Sequence, residues 1–116
     1  KLKMLFLGVV YQPPSSFPAK LSRLTTKNGG ELVITFIKHG SLQLTFNGRH
    51  IQIDPVSEYA DYNSFPKADI ILITHEHGDH LDPKAISALE KTGTLLITNE
   101  AGSKNSNIDV RIREMQ

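Results

Sequence analysis

The stretch DIILITHEHGDHLD, residues 69–82, determines the fold predicted for this chain. Its first part, residues 69–74, is almost entirely apolar, which predicts a central strand covered on both faces. Its second part contains three of the five histidines of the chain. Asp82 is suited to cap a helix, Pro83 to its first position and Gly93 to its end. The stretch therefore predicts a strand, a histidine-rich loop and a helix. The loop lies at the carboxyl end of the strand, where α/β sheets commonly carry their chemistry.

A β-hairpin is predicted before this stretch. Residues 41–46 (SLQLTF) and 49–54 (RHIQID) alternate in polarity on either side of Asn47-Gly48. Asn-Gly between two alternating segments is a strong hairpin signal, because both turn residues must adopt positive φ. The predicted apolar face of this hairpin contains Leu42, Leu44, Phe46, Ile51 and Ile53.

Other segments complete the pattern of strands. Residues 31–38 (ELVITFIK) alternate and are β-branched, residues 94–98 (TLLIT) predict a second buried strand, and residues 108–114 (IDVRIRE) alternate like an edge strand. Residues 54–68 are loop-like. The buried stripe of the helix is predicted to contain Ala85, Ile86 and Leu89. This order of elements predicts an α/β fold with α+β layers.

The first 30 residues are assigned separately from a domain at residues 31–116. Residues 11–30 are rich in Pro, Ser, Thr and Gly, which is typical of a loop or linker. Residues 1–10 (KLKMLFLGVV) have the outline of a short secretory signal, and equally that of an ordinary first strand. The signal interpretation favours an exported protein. The apolar run is too short to span a bilayer, and no other segment comes closer.

The composition limits the classes of protein to which the chain can belong. Its 116 residues fit one domain. A formal net charge of +1 gives no electrostatic reason to expect nucleic acid or an anionic membrane as partner. The chain contains no cysteine, so any metal site must use nitrogen and oxygen ligands.

The histidine-rich loop contains the pattern H-x-H-x-D-H, formed by His75, His77, Asp79 and His80. Neutral imidazole and carboxylate suit zinc, and also manganese or iron. A loop that leaves a strand lets His75 and His77 project to the same side, and Gly78 allows a tight turn that brings the next two ligands to a neighbouring point. The loop can thus supply two ligands to each of two adjacent metals, which can share a bridging water and lower its pKa.

These residues resemble the metallo-β-lactamase fold. THEHGDH follows a buried strand, IDP ends an earlier hairpin, and FIKHGS is similar to the Gly-His-Ala-Ser turn of the lactonase-like branch of zinc-dependent hydrolases. The resemblance covers residues 33 to about 100. It implies the N-terminal half of a metallo-β-lactamase αββα sandwich, whose complete site holds two zinc ions.

The resemblance also assigns roles to individual residues. His75 and His77 would bind the first metal, and Asp79 and His80 the second. Asp54 would support this ligand loop by hydrogen bonding. The implied reaction is attack by a metal-bound hydroxide on an ester or lactone, an amide or a phosphodiester of a small-molecule substrate. Asp79 would help to orient or deprotonate the water.

Other polar and aromatic residues have alternative interpretations. His39 is a candidate substrate contact, and a hydrogen-bonded structural role is the alternative. We expect His50, just past the hairpin turn, to be exposed and Glu76 to face solvent. Asp82 is better explained as a helix N-cap than as a ligand. Aromatic residues that either line the cleft or pack in the core are Tyr59, Tyr62 and Phe65.

The predicted metal shell is at most half complete. In the fold that the chain resembles, a second half supplies the remaining ligands, whereas after His80 this chain has no histidine and only Asp82 and Asp109 as aspartates. We therefore expect either the N-terminal part of a longer hydrolase or a homodimer that completes the sandwich. The 116 residues alone are expected to be inactive. The alternative function is a catalytically silent half-domain that dimerises or binds a protein partner.

Overall fold

The computed structural model describes residues 4–5, 8–9, 20–104 and 111–114. The strands within these residues are β1 (Met4–Leu5), β2 (Gly8–Val9), β3 (Lys20–Thr25), β4 (Glu31–Lys38), β5 (Ser41–Phe46), β6 (Arg49–Ile53), β7 (Ile70–Leu72), β8 (Leu95–Thr98) and β9 (Arg111–Glu114). The helices are α1 (Pro83–Leu89) and α2 (Glu100–Ser103), and a single 3-10 turn spans Tyr62–Ser64. The predicted α/β fold class is confirmed.

Strands β3 to β9 form one sheet in sequence order, and β1 pairs separately with β2. The pairs from β3 to β6 are antiparallel, and those from β6 to β9 are parallel. The predicted hairpin between β5 and β6 is present, with positive φ at Asn47 (51°) and Gly48 (75°). Because β5 begins opposite the end of β6, the β4–β5 turn lies at the same edge as the carboxyl ends of β6, β7 and β8.

Helix α1 covers one face of this sheet, which we call the inner face. The three residues of its predicted buried stripe are indeed buried and pack in a core with Ile71, Ile73 and Leu96. Asp82 caps the helix by accepting a hydrogen bond from Lys84 N at 3.0 Å. The helix ends at Leu89, before the predicted end near Gly93, because Glu90 is already extended and Gly93 belongs to a separate turn with φ of 93°.

The opposite face of the sheet, here the outer face, is apolar and only partly covered. Its apolar residues align in register across six strands: Leu24, Leu32, Ile34, Phe36, Leu42, Leu44, Phe46, Ile51, Ile53, Ile70, Leu72, Leu95 and Ile97. Leu24 is 52% exposed and Phe36 45% exposed, and the remaining members are half-buried. The predicted apolar face of the hairpin belongs to this surface, whereas the fully buried face of the same hairpin carries Ser41, Gln43, Thr45 and Gln52.

One segment was predicted wrongly and one short element was missed. Residues 20–25, predicted as part of a loop, form the edge strand β3. The single turn of helix α2 was not predicted; Asn99 caps it by accepting a hydrogen bond from Gly102 N at 2.9 Å. The predicted linker residues 11–19 and most of the predicted signal lie outside the described residues, so the export prediction stays untested. Within the described part of the chain, no helix is long and apolar enough to cross a membrane.

Candidate metal centre

The histidine-rich loop leaves β7 and turns tightly at the edge of the sheet. Ile73 N donates to Ile97 O at 2.8 Å, which holds the start of the loop on β8. His80 N donates to His77 O at 2.9 Å, which closes the turn. As a result the rings of His75 and His77 lie 4.6 Å apart and those of His75 and His80 lie 4.0 Å apart between centroids. The loop therefore brings the three imidazoles together.

Asp54, at the end of β6, is the buried polar group beneath this loop. It is 2% exposed and has a positive φ of 47°. Its Oδ1 accepts a hydrogen bond from Thr74 N at 2.7 Å. Its Oδ2 accepts hydrogen bonds from Thr74 Oγ1 at 2.6 Å and from His80 Nδ1 at 2.7 Å. One carboxylate thus holds both ends of the loop that carries the histidines.

These hydrogen bonds determine which ring nitrogens are available to a ligand. An ionised carboxylate can only accept, so His80 donates this hydrogen bond from Nδ1, and its neutral imidazole would present Nε2 with a free lone pair. The Thr74 hydroxyl donates its hydrogen bond to Asp54, so it accepts the hydrogen bond from His75 Nδ1, 2.9 Å away. This leaves Nε2 of His75 available to a ligand as well. Metal-binding histidines characteristically donate their other nitrogen to such a partner.

The β4–β5 turn packs against the same group. A Cβ on Gly40 would lie 2.9 Å from His80 Cε1 and 3.1 Å from its Nδ1, so only glycine lets the turn approach this ring. Ser41 Oγ donates to Asp54 O at 2.6 Å, which fastens the turn to the end of β6. His39 has a positive φ of 55° and its Nε2 lies 3.1 Å from Asp79 Oδ2.

The donor atoms fall into two overlapping groups. One contains His75, His77 and Asp79 and the other His39, Asp79 and His80, with the ligand atoms of each group within 4.8 Å of one another. Desolvation acts to raise the pKa of Asp79, but its backbone hydrogen bond, His80 and His39 outweigh that effect and hold the pKa below its usual value. Neutral imidazoles beside an ionised carboxylate are a donor set that fits zinc, manganese or iron.

The structure places the other predicted residues as follows. Glu76 is exposed, as predicted, and a hydrogen bond from Asn99 Nδ2 at 2.8 Å lowers its pKa. The prediction that His50 is exposed was wrong: it is half-buried at the opposite end of β6, because its backbone N donates to Asp69 Oδ2 at 2.8 Å and its ring lies against Thr45.

The three aromatic residues have different positions. Tyr62 and Phe65 stack in the core with 4.9 Å between centroids and do not reach the donor groups. Tyr59 alone of the three stands beside the centre, 6.1 Å from the His39 ring. Burial raises the pKa of Tyr62 to about 12, which keeps its hydroxyl neutral.

Sequence reasoning missed the roles of three residues of this centre. Thr74, which connects Asp54 to His75, had no assigned role, although it directly precedes the first histidine. Gly40 and Ser41 were noted only as part of a similar turn. Their function depends on contacts between residues that are 13 to 40 positions apart along the chain, such as Ser41 with Asp54 and Gly40 with His80.

Comparisons with known proteins agree with this arrangement. The curated relatives include proteins named "UPF0173 metal-dependent hydrolase" from Flavobacterium johnsoniae and Lawsonia intracellularis. The first is 40% identical over 73 residues, which is 57% of this chain and 31% of the relative. The second is 39% identical over 62 residues, which is 49% of this chain and 26% of the relative. This chain thus spans about a third or less of the length of the curated relatives it matches.

A solved structure shares the fold at high identity. The crystal structure of a protein named "Putative metal-dependent hydrolase" from Parabacteroides distasonis matches with a TM-score of 0.73 and 66% sequence identity. The match covers 74% of this chain and 39% of that one. The model of the family described as "Beta-lactamase superfamily domain" matches residues 33–115, which contain every residue of the two donor groups. The chain therefore belongs to the beta-lactamase superfamily domain family.

Proposed function

We propose that this chain supplies one half of a two-metal centre to a hydrolase, and that zinc is the metal. The observation that carries this proposal is the hydrogen-bond network in which Asp54 holds His80 directly and His75 through Thr74. Both imidazoles are thereby prepared as Nε2 ligands. A surface loop with incidental histidines would not require a buried carboxylate to select their tautomers.

Each ligand has a distinct task in the proposed site. His75 and His77 would hold the first metal, and Asp79 and His80 the second. When bound, the metals would lower the pKa of water and polarise the carbonyl or phosphoryl oxygen of a substrate. The Asp79 carboxylate has a side chain 52% exposed, so it can accept a hydrogen bond from water in the cleft and take up its proton.

The proposed substrates are small molecules that contain an ester or lactone, an amide or a phosphodiester. The donor set accommodates manganese or iron as alternatives to zinc. Because the chain spans 31% of its relative from Flavobacterium johnsoniae, we assign hydrolysis to a longer protein or to an assembled pair of chains, and expect these residues alone to be inactive.

The outer face favours a second candidate function. Its aligned apolar residues, with Leu24 and Phe36 about half exposed, are typical of a surface that another polypeptide covers. In this alternative the chain is a catalytically silent half-domain that dimerises or binds a protein partner, and the histidine-rich loop is not used for catalysis.

The deciding experiment is metal retention by the whole 116-residue chain. Wild type, His75→Gln, His80→Gln and the control His50→Gln would be dialysed against zinc, manganese and anaerobic iron(II), and then analysed for metal content and for mass by light scattering. We expect the wild type and the control to retain metal and the other two variants to lose it. Equal metal content in all four proteins would refute the proposed site, and a metal-free dimer would favour the alternative.

A further inference from the structure

We infer that His39 is a third protein ligand of the second metal position, beside Asp79 and His80; this inference rests on the proposed function. His39 comes from the β4–β5 turn, outside the H-x-H-x-D-H loop. Its Nε2 lies 3.1 Å from Asp79 Oδ2, and on the other side of that carboxylate His80 Nε2 lies 3.7 Å from Asp79 Oδ1. The Asp79 carboxylate thus lies between two imidazoles.

These separations suit a shared ion. Ligand atoms about 2.0–2.1 Å from a tetrahedral ion lie roughly 3.3 Å from one another. The two observed separations, 3.1 Å and 3.7 Å, lie on either side of this value. In the structure His39 Nε2 donates a hydrogen bond to the carboxylate, and a bound ion would take the place of the shared hydrogen, because histidine binds metal through a deprotonated ring nitrogen.

The backbone of His39 supports a functional role for its side chain. Its φ of 55° lies in the left-handed region, which residues with a side chain adopt at a greater energetic cost than glycine. The ion pair with Asp79 joins side chains that are 49% and 52% exposed, and such pairs contribute little to stability. The pair therefore offsets little of this cost, whereas a ligand to metal would account for a histidine at this position.

The turn holds His39 in a fixed direction. Lys38 pairs with Ser41 across the turn, Ser41 is bonded to the backbone of Asp54, and Gly40 lies against the His80 ring. The His39 and His80 rings are consequently 5.0 Å apart between centroids. A ligand on a hairpin that is anchored to a second ligand loses little freedom when it binds an ion. The second position would then have three protein ligands from this chain and bind the more tightly held ion.

The test replaces His39 with glycine, which is free to adopt the same φ. The matched control is Asn47→Gly, which makes the same kind of backbone change at φ 51° in the β5–β6 turn. Zinc affinity would be measured by competition with a chromophoric chelator, and coordination by the visible absorption of bound cobalt(II). Thermal unfolding without metal would report on the backbone.

We expect His39→Gly to weaken the tighter zinc site by more than the roughly 10–100-fold that loss of a supporting partner costs, and to reduce the cobalt absorption. Its metal-free unfolding midpoint should equal or exceed that of the wild type, and Asn47→Gly should bind both ions normally. Unchanged zinc affinity and cobalt spectrum in His39→Gly would overturn the inference. If His80→Gln still loses metal in that case, the proposed function stands; if it does not, both fail.

Discussion

Replacement of Asp54 by asparagine tests the hydrogen-bond network most directly. Asparagine has the same shape and tolerates the positive φ of this position. Its amide carries one acceptor oxygen, whereas the three donors here need two: Thr74 N at one oxygen, and Thr74 Oγ1 and His80 Nδ1 at the other. If the amide nitrogen faces Thr74 N, this part-buried donor loses its partner, and stability should fall by about 1 kcal/mol.

The other orientation of the amide has a chemical consequence. An amide nitrogen beside His80 donates to Nδ1 and moves the histidine proton to Nε2, the atom that should bind metal. We expect a loss of about 10–100-fold in zinc affinity, or roughly 1.4–2.7 kcal/mol. Chelator competition measures the affinity, and long-range nitrogen–proton NMR correlations report the tautomer of His80. Unchanged affinity together with a proton still on Nδ1 would refute this reasoning.

Two further predictions concern stability. Asp82→Ala should lower the free energy of unfolding by roughly 1–2 kcal/mol and leave zinc binding unaffected, because the Asp82 carboxylate caps α1 at Lys84 N and also accepts a hydrogen bond from Ser57 N at 2.7 Å. Urea unfolding measures this loss of stability. A loss near zero would contradict the capping role. Burial lowers the pKa of His50, and this effect outweighs the nearby Asp69 carboxylate, which acts to raise it. At position 50 the unfolded chain therefore binds more protons than the folded chain as the pH falls below about 6.5, so the stability of the folded protein should decrease there. This decrease between pH 7.5 and 5.5 should be smaller in His50→Gln than in the wild type. Equal decreases in both proteins would show that His50 is not responsible.

Local signals explain why much of the fold could be predicted from sequence. Asn47-Gly48 specifies its hairpin turn through backbone conformation alone, and Asp82-Pro83 specifies the start of α1 through a cap and a preset φ. The H-x-H-x-D-H spacing likewise predicted that the histidines converge, because the loop itself contains the turn. These features depend on neighbours within a few positions along the chain.

The features that were missed depend on distant contacts. Alternation in β5 predicted two faces but could not show that the face with Gln43 is buried and the face with Leu44 is the outer one. Likewise, the role of Thr74 is visible only once Asp54, 20 residues earlier, is brought beneath it. His50 was misjudged because its burial comes from Asp69 and Thr45 on other segments of the chain.

The outer face has a consequence for the handling of this protein. Partly exposed apolar side chains aligned over six strands favour attraction between molecules, so the osmotic second virial coefficient should be negative and become more so in ammonium sulfate. The histidine cluster lies at the edge of the sheet and not on this face. Attraction between molecules and metal binding therefore depend on different surfaces. Lysine substitutions at Leu24 and Phe36 should reduce the attraction between molecules without changing metal binding.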